Sequence, residues 1–210
     1  MKSSNTTTDE LLLYAVTDRA WLGNETLYEQ VEKALKGGAT FVQLREKKLD
    51  EESFLQEAIE IKELCKKYNV PFVINDNVDI AIKMDADGVH VGQSDIDAKS
   101  ARKLIGEGKI LGVSARTLQE AKRAKEDGAD YIGIGAMFST STKLDAKSVS
   151  FETLKEIKDN VDIPFVLIGG INLGNVEKLK QFNPDGYVII SAILKEEDIY
   201  AEVKKWLDVI

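Results

Sequence analysis

Eight short apolar runs, each followed by an amphipathic stretch, set the period of this chain and limit what it can fold into. The runs are LLLYAVTD (11–18), TFVQLRE (40–46), PFVIND (71–76), DGVHVGQ (87–93), ILGVSA (110–115), YIGIGAM (131–137), PFVLIGG (164–170) and GYVIISAI (186–193). Between them apolar residues recur at spacings of three and four, as in Leu27, Val31, Ala34 and Leu35, or Phe54, Ala58, Ile61 and Cys65. That is the pattern of a helix with one buried face. Small acidic or glycine turns come just ahead of strands: KGGAT (36–40), DADGV (85–89), DGAD (127–130) and NPDG (183–186). A left-handed glycine there ends a helix and lets the chain enter the next strand.

A βα repeat of this length closes into a (β/α)8 TIM barrel or spreads into an open doubly wound sheet. A dinucleotide-type open sheet carries GxGxxG after its first strand, and RAWLGNE (19–25) lacks it. The expectation is therefore an α/β chain forming a (β/α)8 TIM barrel as a single domain. Residues 1–10 read as a polar N-terminal segment and 11–210 as the barrel, a size that one core can serve.

The second run poses a question that the barrel answers. It alternates Val42 and Leu44 with Gln43, Arg45 and Lys47. Barrel strands bury both faces, so Val42 and Leu44 can meet the helices while the polar residues point inward, toward the C-terminal rim where barrel chemistry is placed.

The other strand ends fit the same rule. The third run ends in Asn75 and Asp76, the fourth in Gln93 with Asp95, and the fifth in Ser114 with Arg116. The sixth leads into FSTSTKLDAK (138–147), with Thr140, Thr142 and Lys143. The seventh ends in Gly169-Gly170, and the eighth runs through Ile190-Ser191-Ala192 into the last helix.

Each feature has two readings. Arg45 and Lys47 are either a solvated strand end, with an ion pair to Asp76, or ligands for an anion. Asp76 and Asp95 are either helix caps or two hard oxygen donors, without histidine or thiolate company, for Mg²⁺ shared with substrate phosphates. Gly169-Gly170 is a tight turn or a backbone cradle for phosphate. Asp97 and Asn172, just before helical pattern, read as N-caps. His90, between Val89 and Val91, reads as a hydrogen-bonded core residue, and Cys65 as core filling.

Charge and composition narrow the partners. A formal net charge of −8 and a pI near 4.9 oppose binding to nucleic acid or anionic membrane, which leaves small molecules. MKSSNTTTDE lacks an apolar h-region, and Leu11 to Val16 is too short to cross a bilayer. The single cysteine allows neither an internal disulfide nor a cysteine-rich zinc site, so a reducing cytoplasm is expected. Oligomeric state is left open, and a homo-oligomer is compatible with the sequence.

The rim holds cations, a candidate metal pair and a phosphate cradle, without a Ser-His-Asp arrangement. Displacement of a diphosphate from a carbon that tolerates positive charge suits that set, since it needs charge stabilisation more than proton transfer.

At these residues the chain resembles the thiamine-phosphate synthases, from Leu13 to the last helix. The pieces are QLREK (43–47), IND (74–76), DGVHVGQSD (87–95), LGVSA (111–115), TSTK (140–143), IGGI (168–171) and IISAI (189–193). The resemblance implies a transferase of a non-methyl alkyl or aryl group that joins hydroxymethylpyrimidine diphosphate to thiazole phosphate in thiamine biosynthesis. It implies that Gln43, Arg45, Lys47, Asn75, Ser114 and Lys143 contact the pyrimidine diphosphate, with Ser114 and Lys143 catalytic and Mg²⁺ on Asp76 and Asp95. It also places the thiazole phosphate near Thr140 and Thr142, with its phosphate on Gly170, Ile190 and Ser191.

Arg116 stands where the family often has histidine, and Ala136 and Ser139 stand where it often has proline. A sister group, the thiazole tautomerases, depends on a histidine at the position of Arg116, which cannot serve as an ordinary proton shuttle. A Schiff-base aldolase using Lys47 and a non-catalytic phosphate-binding barrel are two further functions that a rim of this kind could serve.

Overall fold

The computed structural model describes residues 6–139 and 148–210. Helix α1 (Thr8–Leu11) precedes strand β1 (Leu13–Val16), and a 3-10 turn (Arg19–Trp21) leads to α2 (Leu27–Gly37). The chain continues through β2 (Phe41–Leu44), α3 (Glu51–Lys67), β3 (Phe72–Asn75), α4 (Val78–Lys83), β4 (Gly88–Val91) and α5 (Ala98–Ile105). It then forms β5 (Ile110–Ala115), α6 (Leu118–Glu126), β6 (Tyr131–Gly135), α7 (Phe151–Asn160), β7 (Phe165–Ile168) and α8 (Glu177–Lys180). β8 (Gly186–Ile189), α9 (Ser191–Leu194) and α10 (Ile199–Val209) complete it. The eight strands are parallel, pair in chain order, and close when β8 pairs with β1 through Leu13 and Tyr187. This is the (β/α)8 barrel that the repeat implies.

Two ends differ from what hydropathy suggests. The first apolar run begins at Leu11, but Thr7 and Glu10 form a capping box that turns Thr8–Leu11 into a helix, and the strand starts at Leu13. The eighth run continues through Ala192 in sequence, whereas Ile190 leaves extended geometry at φ −118°, ψ −91°, and a short helix follows at once.

Alternation along each strand builds two separate cores. Leu13, Ala15, Val42, Leu44, Phe72, Ile74, Leu111, Val113, Ile132 and Ile134 pack outward against the helices. Tyr14, Val16, Phe41, Val73, Ile110, Tyr131, Val166 and Val188 fill the barrel interior. A strand buried on both sides must be apolar at nearly every position, which is why the runs read as continuous.

The opposite end of the barrel carries a repeated device. The residue just before each even strand, Thr40, Asp87, Asp130 or Asp185, donates its N–H to the carbonyl of Leu13, Phe72, Leu111 or Phe165 in the preceding odd strand. Its side chain then accepts the N–H of that same residue, at 2.8, 2.9, 2.8 and 2.8 Å. The acidic turns noted in the sequence are thus reciprocal clamps between strand starts.

Candidate active site

The C-terminal rim gathers groups from several strand ends. Gln43 is inside the barrel, as the alternation implies, with Nε2 donating to Tyr14 Oη at 2.5 Å. Strand β2 stops at Leu44, so Arg45 and Lys47 stand in the loop beyond it. Glu46 shapes that loop: its buried carboxylate accepts the N–H of Lys47 at 2.8 Å and of Lys48 at 3.1 Å, and it also takes a hydrogen bond from Arg19. Burial opposes its charge, but Arg19 and the two amides outweigh that and hold Glu46 below the usual carboxylate range. Arg19 also reaches Glu57 at 2.5 Å, where burial pushes the carboxyl up against the pull of the guanidinium.

Strand β1 braces the same loop. Thr17 Oγ1 accepts the N–H of Arg45 at 2.9 Å, and the Arg45 guanidinium lies 3.7 Å from Asp18 Oδ2.

Lys47 Nζ lies 2.5 Å from Asp76 Oδ2, the ion pair of the plainer reading, and its side chain is half exposed. Asp76 follows β3 in left-handed geometry at φ +61°. Burial would raise its carboxyl, but hydrogen bonds from Lys47 and with Asp95 bring it below the usual range. Asp95 moves the other way, raised first by burial and then by sharing a hydrogen bond with Asp76. Its Oδ2 accepts the Gly92 N–H at 2.8 Å. Neither aspartate is the N-cap of a described helix: Asn77 caps α4 and Asp97 caps α5. Among the described residues no group of three or more His, Cys, Asp or Glu is placed to hold a metal.

Asn75, at the end of β3, has a buried Nδ2 that makes no well-formed hydrogen bond among the described residues, though its side chain helps to hold the Asp76 carboxyl down. Ser114 on β5 is fixed twice: its carbonyl accepts Gln93 Nε2 at 2.7 Å, and its Oγ lies 2.9 Å from His90 Nε2. Arg116 turns away toward α6, where its N–H meets Glu120 at 2.6 Å and its guanidinium approaches the same carboxylate at 4.0 Å.

Gly169 and Gly170 have φ of +97° and +65°, and a Cβ on Gly170 would overlap Phe138 and the Ser139 carbonyl. Ile190 and Ser191 open α9, which has no side-chain cap. Asn172 is not an N-cap. Its Oδ1 accepts the Gly174 N–H at 2.9 Å within a turn, and α8 starts later, after Val176. Thr140, Thr142 and Lys143 lie outside the described residues.

Sequence reasoning misses Thr17, Asp18, Arg19 and Glu46. The signal is there, since VTD, just before Arg19, ends the first apolar run as IND ends the third. Tyr14 and Tyr131 leave no such mark, because a tyrosine on a strand reads as core until its hydroxyl's partner is known.

Comparison with known proteins agrees along most of the chain. The family model described as thiamine monophosphate synthase matches residues 13–193. A thiamine-phosphate synthase of Clostridioides difficile (strain 630) is 63% identical over 196 residues, 93% of this chain and 93% of that protein. One from Clostridium tetani (strain Massachusetts / E88) is 54% identical over 187 residues, 89% of this chain and 90% of its own. The solved thiamine phosphate pyrophosphorylase from Pyrococcus furiosus superposes with a TM-score of 0.88 at 35% identity, covering 96% of both chains. By sequence and by shape, the chain belongs to the thiamine monophosphate synthase family.

Proposed function

We propose that this chain is a thiamine-phosphate synthase, a transferase that condenses hydroxymethylpyrimidine diphosphate with thiazole phosphate to give thiamine phosphate and diphosphate. Beyond family membership, the reading is carried by one observation: Lys47, Asp76 and Asp95 meet at a rim that also presents Arg45, Ser114 and the amide of Asn75. That set offers cations for a diphosphate, oxygen donors for a cation, and polar groups for a heteroaromatic ring.

The two aspartates fit Mg²⁺. Burial first, and then the hydrogen bond it shares with Asp76, holds the Asp95 carboxyl above its ordinary range, and a divalent cation would relieve that contact. Two protein carboxylates suit an ion that takes its other ligands from substrate phosphate and water. Asp76 and Asp95 would hold it, and when bound it supplies neutralisation of the charge on the diphosphate.

The chain's own residues do the rest. Arg45, Lys47 and Lys143 bind the diphosphate, while Gln43, Asn75 and Ser114 orient the pyrimidine. The bond from the pyrimidine methylene carbon to the diphosphate oxygen breaks, and its electron pair leaves with the diphosphate. The thiazole nitrogen lone pair then forms the new C–N bond to the methylene cation, so no proton need move. Thr140 and Thr142 would face the thiazole, and the amides at Gly170, Ile190 and Ser191 would take its phosphate, which the uncapped start of α9 supports.

A Schiff-base mechanism fits less well, because Lys47 is paired with a carboxylate and half exposed rather than enclosed in an apolar pocket. A tautomerase would lack its histidine, and Arg116 is engaged with Glu120.

The test is to incubate the chain with both substrates, with Mg²⁺ and with a chelator, and to measure thiamine phosphate and diphosphate. Equal appearance of both, abolished by the chelator, is expected, whereas binding of either substrate without turnover would sink the reading. Asp95→Ala should lower turnover by roughly 10²-fold, in line with loss of one group stabilising transition-state charge.

A further inference from the structure

Five side chains from five strands form one unbroken hydrogen-bonded line across the barrel interior. Gln43 Nε2 on β2 donates to Tyr14 Oη on β1 at 2.5 Å, and Tyr14 Oη lies 2.8 Å from Tyr131 Oη on β6. Tyr131 Oη lies 3.0 Å from His90 Nδ1 on β4, and His90 Nε2 lies 2.9 Å from Ser114 Oγ on β5. Gln43, Tyr14, Tyr131 and His90 are all buried. Glycines make the room: a Cβ on Gly112 would overlap both Tyr131 and His90, and one on Gly133 would come within 3.2 Å of His90 Cε1.

Counting protons gives the line a direction. Each phenol has one proton to donate, and a neutral imidazole has one donor and one acceptor nitrogen. Tyr14 receives from Gln43, and because its hydroxyl is buried with Tyr131 as its other partner among the described residues, its own proton is satisfied by going to Tyr131. The Tyr131 proton then goes to His90 Nδ1, which places the imidazole proton on Nε2. That proton is donated to Ser114 Oγ. Gln93 fixes the Ser114 backbone, so the freedom left to Ser114 is where its own O–H points.

We propose that this line locks His90 as the Nε2–H tautomer, so that Ser114 accepts a hydrogen bond from inside the barrel and presents its own proton to an acceptor atom of the pyrimidine. His90 is then a positioning residue that acts through Ser114. The inference rests on the reading of Ser114 as a pyrimidine contact, and deepens it. Without the line the hydroxyl could turn either way, and the site would hold a donor or an acceptor indifferently. With it, the ring must offer an acceptor, such as a ring nitrogen, at that point.

The chain has one histidine, so ¹⁵N labelling of imidazole reports on His90 alone. In the full substrate-free chain at neutral pH, the expected spectrum has a protonated Nε2 and an unprotonated Nδ1. The Nδ1–H tautomer, or a mixture, would overturn the proposal. In kinetics, His90→Phe should lower kcat by about 10²-fold with KM little changed, the scale expected when a reacting partner is misoriented. His90→Gln, whose amide can still donate toward Ser114, should recover part of that loss. Adding His90→Phe to Ser114→Ala should cost nothing more, and fully additive losses would overturn the proposal. Should His90→Phe fail to fold, Tyr131→Phe removes a single hydroxyl and should turn the one tautomer into a mixture; an unchanged tautomer would count against the line. A wild-type chain that makes no thiamine phosphate would overturn the synthase reading itself, whereas the wrong tautomer in an active enzyme overturns this inference alone.

Discussion

Asn75 has a buried amide nitrogen that makes no well-formed hydrogen bond among the described residues and is near enough to Asp76 to help hold that carboxyl down, and a buried donor left short of a partner costs about 1–3 kcal/mol. A group kept at such a cost is explained if a substrate completes it. Asn75→Leu should therefore hold or gain stability in urea unfolding while turnover falls at least about tenfold, a trade expected where function needs an unsatisfied site; a parallel loss of both would mean the amide is structural. Lys47 is bound to the same cluster. Lys47→Met should weaken binding of the pyrimidine diphosphate by roughly 10–100-fold, the worth of a charged hydrogen bond, and leave thiazole phosphate binding nearly unchanged, as isothermal titration would register. The polar rim is legible residue by residue, because alternation places Gln43 inside and the strand ends name Asn75, Asp76, Asp95 and Ser114. The hydrogen-bonded line is not legible. Which hydroxyl meets which imidazole depends on strands far apart in sequence, such as Tyr14 and Tyr131, separated by 117 positions.

Between elements, the sequence shows existence and order well and ends poorly. All eight strands fall within the eight apolar runs, since burial on both faces forces an unbroken apolar signal. The first and last runs overshoot their strands, because a capping box at Thr7 and Glu10 and a break at Ile190 act on backbone hydrogen bonds that hydropathy does not register. Asp97 is a cap and Asn172 is not, yet the sequence does not separate them, as both are short polar side chains ahead of apolar residues. The acidic turns stand out, but their purpose needs the neighbouring strand. Asp130 is the most buried of the three clamping aspartates and also receives Arg102 Nη2 at 2.6 Å. Asp130→Ala leaves that guanidinium buried without its carboxylate and should cost about 3–5 kcal/mol. The fraction that still folds should keep its KM for both substrates, because the clamp is at the end of the barrel away from the rim; a changed KM would contradict that separation.

For the molecule as a whole, the sole histidine gives acid stability a defined window. Burial holds His90 down at about 4, against an ordinary value of 6.5. Between those values the unfolded chain binds a proton that the folded chain does not, so stability is full above the upper value and falls as pH drops toward the lower one. The contribution at stake is about 3 kcal/mol. Urea unfolding followed from about pH 7 to about pH 4.5 should show this slope, and His90→Gln should flatten it; an unaltered slope would assign acid sensitivity to carboxylates instead. The reciprocal clamps carry a different consequence. They join β1 to β2, β3 to β4, β5 to β6 and β7 to β8, across sequence separations of 27, 15, 19 and 20 residues. The barrel is thus assembled from four locally closed quarters. Circular permutants opened between quarters keep every clamp a short-range closure and should fold about as fast as the parent. Opening the chain inside a quarter, between β3 and β4 for instance, turns one of those closures into the longest in the molecule and should slow folding, because the entropy of that loop must be lost before the clamp can form.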